Sequence, residues 1–152
     1  MPDQAPAAEQ RPAEYPAERP PQNLMETLGY RLLTADAEHA VAELPFSPSV
    51  SQLTGLFHTG ALIALADTTA TYLCMQNVYA GGVSDDPARF PLAIQLSASL
   101  VRNTNQGRAI AEARLRHRGR TMLVVETTVR DEHERTLAIL TSTHLVLGGA
   151  PR

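Results

Sequence analysis

The segment that most constrains the fold is residues 58–78, HTGALIALADTTATYLCMQNV. On a helix, its apolar residues cover more than one side, which is typical of a helix that is buried on most of its surface. One charged residue, Asp67, stands in its middle. We therefore predict a long helix that lies across a sheet and carries a carboxylate in apolar surroundings.

Strand candidates lie on both sides of this segment, at 30–36 and 38–44 before it and at about 92–102, 108–117, 121–129 and 135–147 after it. The last four are separated by short polar stretches, which predict hairpins and an antiparallel meander. Asn23 and Gly29 suit the two ends of a short first helix. The expected class is α+β, with one long central helix wrapped by a curved antiparallel sheet.

The first residues differ in composition from the rest of the chain. Residues 1–21 hold six of the 11 prolines and few large apolar side chains, a composition typical of a disordered tail. The 152-residue chain is long enough for one domain, which we place at 22–147, with 148–152 as a frayed C-terminus.

Composition excludes several functions. The formal net charge of -3 does not favour nucleic-acid binding, and no apolar run is long enough to span a membrane. The single cysteine allows neither an internal disulfide nor a multi-cysteine zinc site, and the dispersed histidines predict no metal site. The N-terminus lacks the features of a secretory signal, so we expect a cytoplasmic protein.

The start of the long helix, His58-Thr59-Gly60, is the first candidate for chemistry. The first N–H groups of a helix lack intrahelical partners and suit an anionic oxygen. Gly60 allows a ligand to approach the backbone closely. Every helix has such an end, so a simple cap at His58 and a packing role for Gly60 remain the alternative.

Asp67 is the second candidate. A carboxylate among apolar neighbours needs a partner or a raised pKa, and such groups are often functional. The alternative is a structural Asp67 bonded to Thr71 or to the backbone. His58 and Asp67 lie nine residues apart, which on a helix means opposite sides and about 13 Å along the axis. If both serve one reaction, the site must come from two chains.

The stretch LFHTGALIALADTTATYLC resembles the signature of hotdog-fold acyl-CoA thioesterases of the phenylacetate-degradation type. That signature is His-Gly-Gly followed by Leu-Ala-Asp, with nine residues from His to Asp, and Leu65-Ala66-Asp67 matches it in full. The resemblance covers about 23–147. It implies the hotdog fold, homodimers that often pair into homotetramers, and no cofactor beyond the coenzyme A of the substrate.

The resemblance also implies roles for single residues. Asp67 would be the general base or the nucleophile at the thioester carbonyl. The N–H of Thr59, where the family has Gly, would hold the oxyanion, and Gly60 would keep the helix start close to the substrate. His58 would orient this loop or bond the thioester region. Gln52 stands where relatives commonly carry Asn and keeps the amide chemistry.

The acyl group would lie between the central helices of the dimer, against Ile63, Ala66, Ala70 and Cys74, whose modest size suggests a medium-chain or aryl group. Arg102 and Arg108 flank residues 103–107, where relatives often meet the nucleotide of coenzyme A. Arg114 and Arg116 share one strand face. Two interpretations of these two arginines remain open: they contact phosphates of coenzyme A, or they lie on a solvated sheet face.

The sequence thus predicts an acyl-CoA thioesterase that releases a free acid and coenzyme A. One alternative is a non-catalytic protein that binds acyl-CoA, which the departures at Thr59, Gln52 and Ala93 would favour. A hotdog hydratase or dehydratase is the other, although the Asp-to-His spacing of five residues seen in the hydratases is absent.

Overall fold

The computed structural model describes residues 23–79 and 86–148. The predicted tail at 1–21 lies outside the described residues, as do 149–152 of the predicted frayed end. The helices are α1 (Leu24–Leu28) and α2 (Thr59–Val78). The strands are β1 (Arg31–Ala35), β2 (His39–Pro45), β3 (Leu92–Leu100), β4 (Arg108–Arg118), β5 (Met122–Asp131) and β6 (Thr136–Leu145). All six strands form one antiparallel sheet, and α2 packs across it, so the predicted α+β architecture is confirmed.

The strand order is β1-β2-β4-β5-β6-β3, and it corrects one sequence prediction. The meander holds for β4, β5 and β6, but residues 103–107 do not form a hairpin. Instead, β3 pairs with β6 at the edge of the sheet, and the segment after β3 crosses to β4. Two contacts hold this segment: the side-chain amide of Asn103 donates to the carbonyl of Phe57, and the N–H of Phe57 donates to the carbonyl of Thr104. The crossover therefore runs beside the start of α2.

The long helix is buried as predicted. Leu62, Leu65 and Leu73 are almost fully buried, and no residue of α2 beyond its first two is exposed to solvent. The short first helix also has its predicted ends. The Asn23 side chain accepts a hydrogen bond from the N–H of Glu26, and Gly29 ends the helix with a φ of 81°, which glycine adopts without steric cost.

The exposed apolar side chains concentrate on and around β3. Ile94 is 55% exposed, Val101 58% and Leu92 46%. Within the described residues no strand pairs with the outer side of β3. Leu96 and Leu100 lie opposite Ser142 and Ala138 of β6, whose side chains are buried. β3 therefore continues the inner face of the sheet beyond the area that α2 covers. Among the described residues, no helix combines the length and hydropathy that a membrane span requires.

Cys74 offers a direct test of this packing. Its side chain is fully buried between α2 and the sheet, and burial, with the Asp67 carboxylate as a smaller cause, raises the pKa of its thiol to about 12. We expect the native protein to resist a thiol reagent at pH 8, because the thiol is both protonated and inaccessible. Denaturant should release one reactive thiol per chain, since the sequence has one cysteine. Rapid labelling of the native protein would contradict the placement of α2 on the sheet.

Candidate active site

The start of α2 presents a free backbone donor. His58 caps the helix: its Nδ1 accepts a hydrogen bond from the N–H of Gly60 at 2.9 Å. The carbonyl of His58 accepts the N–H groups of Ala61 and Leu62. The N–H of Thr59 is the first of the helix, so it has no intrahelical partner, and no other group in the described parts of the chain accepts it. It lies exposed at the positive end of the helix dipole.

This donor is held in place by its loop. The N–H of His58 donates to the carbonyl of Val50, and the fully buried Phe57 packs edge-on against Phe46. Gly60 leaves room for this cap, because a Cβ at this position would lie 3.0 Å from His58 Nδ1, closer than most such contacts. The cap predicted for His58 is thus present, and it orients the exposed N–H of Thr59.

An apolar groove of about 330 Å³ opens beside His58 and Gly60. Its other lining residues come from α1, from the turn before α2 and from the first turns of α2: Leu24, Leu28, Ser49, Val50, Ser51, Ala61 and Ala64. Gln52 does not line it. Its side-chain amide donates to the hydroxyl of Thr54 at 2.8 Å, so the structure places Gln52 within its own loop.

Asp67 lies on the flank of α2 with one carboxylate oxygen, Oδ1, buried and without a hydrogen-bond partner in the described structure. Neither Thr71 nor a backbone group bonds to it, so the structural alternative for Asp67 finds no support. Asp67 lines a second groove, of about 400 Å³. The remaining lining residues come from α2 and from the entry to β3: Thr68, Thr71, Tyr72, Met75, Phe90, Pro91, Leu92 and Ala93.

The predicted acyl-binding residues are placed differently from expectation. Ala66, Ala70 and Cys74 are fully buried in the core against the sheet, and Ile63 packs against that core. The reason is helical periodicity. These alanines and Cys74 repeat every four residues and form the stripe that faces the sheet. The residues that line the groove lie on the neighbouring side of the helix and include Thr68, Thr71 and Met75.

A buried histidine that no sequence motif singles out lies near Asp67. His144 of β6 is fully buried, and burial lowers its pKa, while the Asp67 carboxylate and a hydrogen bond to the Pro91 backbone act in the opposite direction. The alternation along β6 could have revealed it, because His144 shares a face with Leu140 and Ser142, both buried.

His58 and Asp67 lie in two different grooves, as their positions on the helix predicted. One chain by itself does not bring the Thr59 N–H and the Asp67 carboxylate together. Within residues 23–79 and 86–148, no three His, Cys, Asp or Glu side chains form a cluster that could hold a metal ion.

The arginines fall into two groups. Arg114 and Arg116 form ion pairs with Glu112 and Glu126 on the outer sheet face, which is the solvated alternative. Arg108 pairs with Glu43 at 2.8 Å. Arg102 is exposed, and its guanidinium donates to the carbonyl of Thr136 at 3.4 Å, so its charge has no carboxylate partner in the described structure.

Known proteins with similar sequences and structures identify the family of this chain. The thioesterase superfamily model matches residues 54–138. A Deinococcus radiodurans protein provisionally named an esterase is 33% identical over 120 residues, which make up 78% of this chain and 70% of that protein. The 1,4-dihydroxy-2-naphthoyl-CoA hydrolase of Listeria monocytogenes is 25% identical over 116 residues, 76% of this chain and 89% of the hydrolase.

Among solved structures, a mutant of thioesterase PA1618 from Pseudomonas aeruginosa superposes with a TM-score of 0.74 at 24% identity, covering 83% of this chain and 86% of that one. Its likeness confirms the hotdog architecture of a helix on a curved antiparallel sheet. The family match covers more than half of the chain and includes both the start of α2 and Asp67. The chain therefore belongs to the thioesterase superfamily and is a thioester hydrolase with the hotdog fold.

Proposed function

We propose that this protein hydrolyses medium-chain or aryl acyl-CoA thioesters at a site shared between two copies of the chain. The observation that carries the proposal is Asp67, a carboxylate with a buried, unpartnered oxygen at the wall of an apolar groove. No neighbouring donor occupies the lone pairs of this oxygen. The Asp67 carboxylate is therefore free to take a proton from water or to attack the thioester carbon. The reaction needs no cofactor beyond the coenzyme A of the substrate.

The second requirement is a donor for the oxyanion that forms when the carbonyl is attacked. The Thr59 N–H has the right character, since it is unpaired, fixed by the His58 cap and located at a helix N-terminus. Removing one such donor typically lowers the rate by about 100- to 1,000-fold. The proposed reaction therefore pairs Asp67 of one chain with Thr59 of another.

The topology of β3 supports this shared site. β3 begins at the Asp67 groove, which Leu92 and Ala93 line, and the segment after its last residue is bonded to Phe57, next to His58. If two β3 edges pair antiparallel about a twofold axis, the end of one strand meets the start of the other. The Thr59 donor of each chain then approaches the Asp67 groove of the other. The same pairing would cover the exposed apolar residues of β3.

The groove supports the choice of acyl group. Its wall includes the rings of Tyr72 and Phe90 and the side chains of Met75 and Leu92, and its volume of about 400 Å³ suits a flat ring or a medium chain. The name of the Listeria monocytogenes relative gives it an aryl-CoA substrate. Arg102, with its charge unpaired and exposed, is the proposed contact for the phosphates of coenzyme A. A cytoplasmic location is proposed as well, since the lone, unpaired Cys74 is ordinary in a reducing compartment.

The first test is hydrolysis itself. Free-thiol release should be measured on short, medium, long and aryl acyl-CoAs with the wild type, Asp67→Asn and the matched control Asp36→Asn. We expect hydrolysis of medium or aryl substrates and a loss of about 100-fold or more in Asp67→Asn, because the amide neither accepts the proton nor attacks. Asp36→Asn should keep wild-type rates. Binding of acyl-CoA without turnover by the wild type would favour a non-catalytic role, and hydration of an enoyl-CoA would favour a hydratase.

The Thr59 donor can be removed without breaking the helix. Thr59 is the first residue of α2, where proline is well tolerated, and His58 before it has φ -67° and ψ 130°, the extended backbone that proline requires of its predecessor. We expect Thr59→Pro to lower kcat by about 100- to 1,000-fold with little loss of helix content, because the N–H is gone. Thr59→Ala keeps the N–H and should stay near the wild type. Equal activity of Thr59→Pro and Thr59→Ala would exclude this N–H as the oxyanion donor.

Mixed dimers test the shared site. Asp67→Asn and Thr59→Pro are each expected to be inactive alone, but a dimer with one chain of each kind has one intact site. Random pairing of equal amounts makes half of the dimers mixed, so co-refolded protein should recover about a quarter of the wild-type activity. The size of the particles, as dimers or as the tetramers that two dimers would form, should be measured by light scattering on the same samples. No recovery in demonstrably mixed particles would place the site within one chain.

A further inference from the structure

The ring of Tyr72 belongs to the wall of the Asp67 groove, and a second ring lies against it. Tyr72 is half-buried on α2 and lines the groove. The ring of Tyr30, directly before β1, is stacked on it: the two ring centroids are 5.9 Å apart and the ring planes differ by 11°. Tyr30 is 4% exposed and does not line the groove. One face of the Tyr72 ring is therefore turned to Tyr30, and the opposite face is the one on which a ligand could stack.

The segment that carries Tyr30 supports the same wall at a second place. Thr68 lies one helical turn before Tyr72 and also lines the groove, and its hydroxyl donates to Sδ of Met25 in α1 at 2.8 Å. Tyr30 is tied to this short helix, since its N–H donates to the carbonyl of Met25. Gly29 makes the close turn between them with its φ of 81°. α1 and Tyr30 thus support two neighbouring side chains of the groove wall.

The buried Tyr30 ring limits the movement of the Tyr72 side chain. A half-buried tyrosine without such a neighbour can change its χ1 rotamer, and the groove beside it then has no fixed shape. Stacking on a ring fixed in the core favours the observed orientation by about 2- to 10-fold. The wall then offers a flat aromatic surface. A planar ring stacks on such a surface, whereas a saturated ring of the same size is puckered and meets it with fewer atoms.

We propose that Tyr30 is a positioning residue for acyl selectivity: it fixes the Tyr72 ring along the groove, so that the groove takes a planar aromatic acyl group in preference to a saturated ring of the same size. This inference rests on the proposed function, which places the acyl group in the Asp67 groove. Aromaticity, rather than length or volume, is then the property that the groove selects. Tyr30 itself touches no substrate and acts through Tyr72.

Two thioesters that differ only in the ring test this role. Phenylacetyl-CoA and cyclohexylacetyl-CoA share one carbon skeleton, and a methylene group separates the ring from the carbonyl in both, so the two carbonyls have nearly equal intrinsic reactivity. The ratio of their kcat/KM values therefore reports the groove. We expect the wild type to favour the aromatic substrate by about 3- to 10-fold, mainly through KM. Tyr72→Leu should bring the ratio close to 1, and Tyr72→Phe should keep it, because the ring remains.

Tyr30→Leu is the deciding variant, and Tyr30→Phe is its matched control. Tyr30→Leu should also bring the ratio close to 1, although the Tyr72 ring is still present, because that ring is no longer fixed by stacking. Tyr30→Phe keeps the stacked ring and should keep the wild-type ratio. A merely structural role for Tyr30 would lower both rates together and leave the ratio unchanged. A wild-type ratio near 1, or the same ratio in Tyr30→Leu as in the wild type, would overturn the proposal.

The same preference can be measured as dissociation constants, which need no turnover. By calorimetry, Asp67→Asn chains should bind phenylacetyl-CoA about 3- to 10-fold more tightly than cyclohexylacetyl-CoA, and adding Tyr30→Leu should remove the difference. If this binding preference is found but the wild type hydrolyses neither thioester, the proposed function fails and the role of Tyr30 stands. If the wild type hydrolyses both thioesters equally well, the hydrolysis stands and the role of Tyr30 fails.

Discussion

The close contact between α2 and the sheet is the constraint on which the rest of the structure depends. Both surfaces are rich in alanine: Ala61, Ala66 and Ala70 of the helix share core clusters with Ala40, Ala42, Ala109, Ala111, Ala113 and Ala138 of the strands. Small side chains on both surfaces let the helix axis come close to the sheet, and larger residues such as Leu65 and Leu73 fill the spaces beside them. A helix held this closely has little freedom to rotate or slide, so the groups on its flank and at its start have fixed positions.

Two of those groups account for the proposed chemistry, and the same helix supplies both. Its first N–H is unpaired because every α-helix begins that way, and the His58 cap leaves it exposed. Asp67 is unpaired because it lies at the border between the buried stripe and the groove, where neither Thr71 nor the backbone bonds to it. About 13 Å of helix separates the two groups within a chain. The separation is why a carboxylate and an oxyanion donor from one helix would need a second chain to meet.

The sequence predicted α2, its cap and the importance of Asp67 because these follow from local physics: a broad apolar surface, an N-cap and the free-energy cost of a buried charge. It did not predict which side of α2 faces the sheet. A helix that is apolar on most sides gives no direction. The expectation that Ala66, Ala70 and Cys74 line an acyl pocket between two central helices therefore differs from the structure, in which they face the sheet and Thr68, Thr71 and Met75 line the groove. The crossover after β3 was missed for a related reason, since the length and polarity of residues 103–107 fit a hairpin equally well. Pairing of β3 with β6 depends on contacts distant in sequence.

Two incomplete features of the chain have one explanation under the pairing we propose. β3 exposes apolar side chains and an unpaired backbone edge, a combination that soluble proteins rarely leave uncovered. In the proposed reaction, each of the two grooves holds half of the reaction centre. Antiparallel pairing of two β3 strands would bury the exposed apolar side chains and bring the two halves of the site together. Assembly and activity would then depend on the same sheet edge. The acyl group would then lie in surroundings from which water is largely excluded, where the Asp67 charge and the Thr59 dipole act more strongly than they would in bulk solvent.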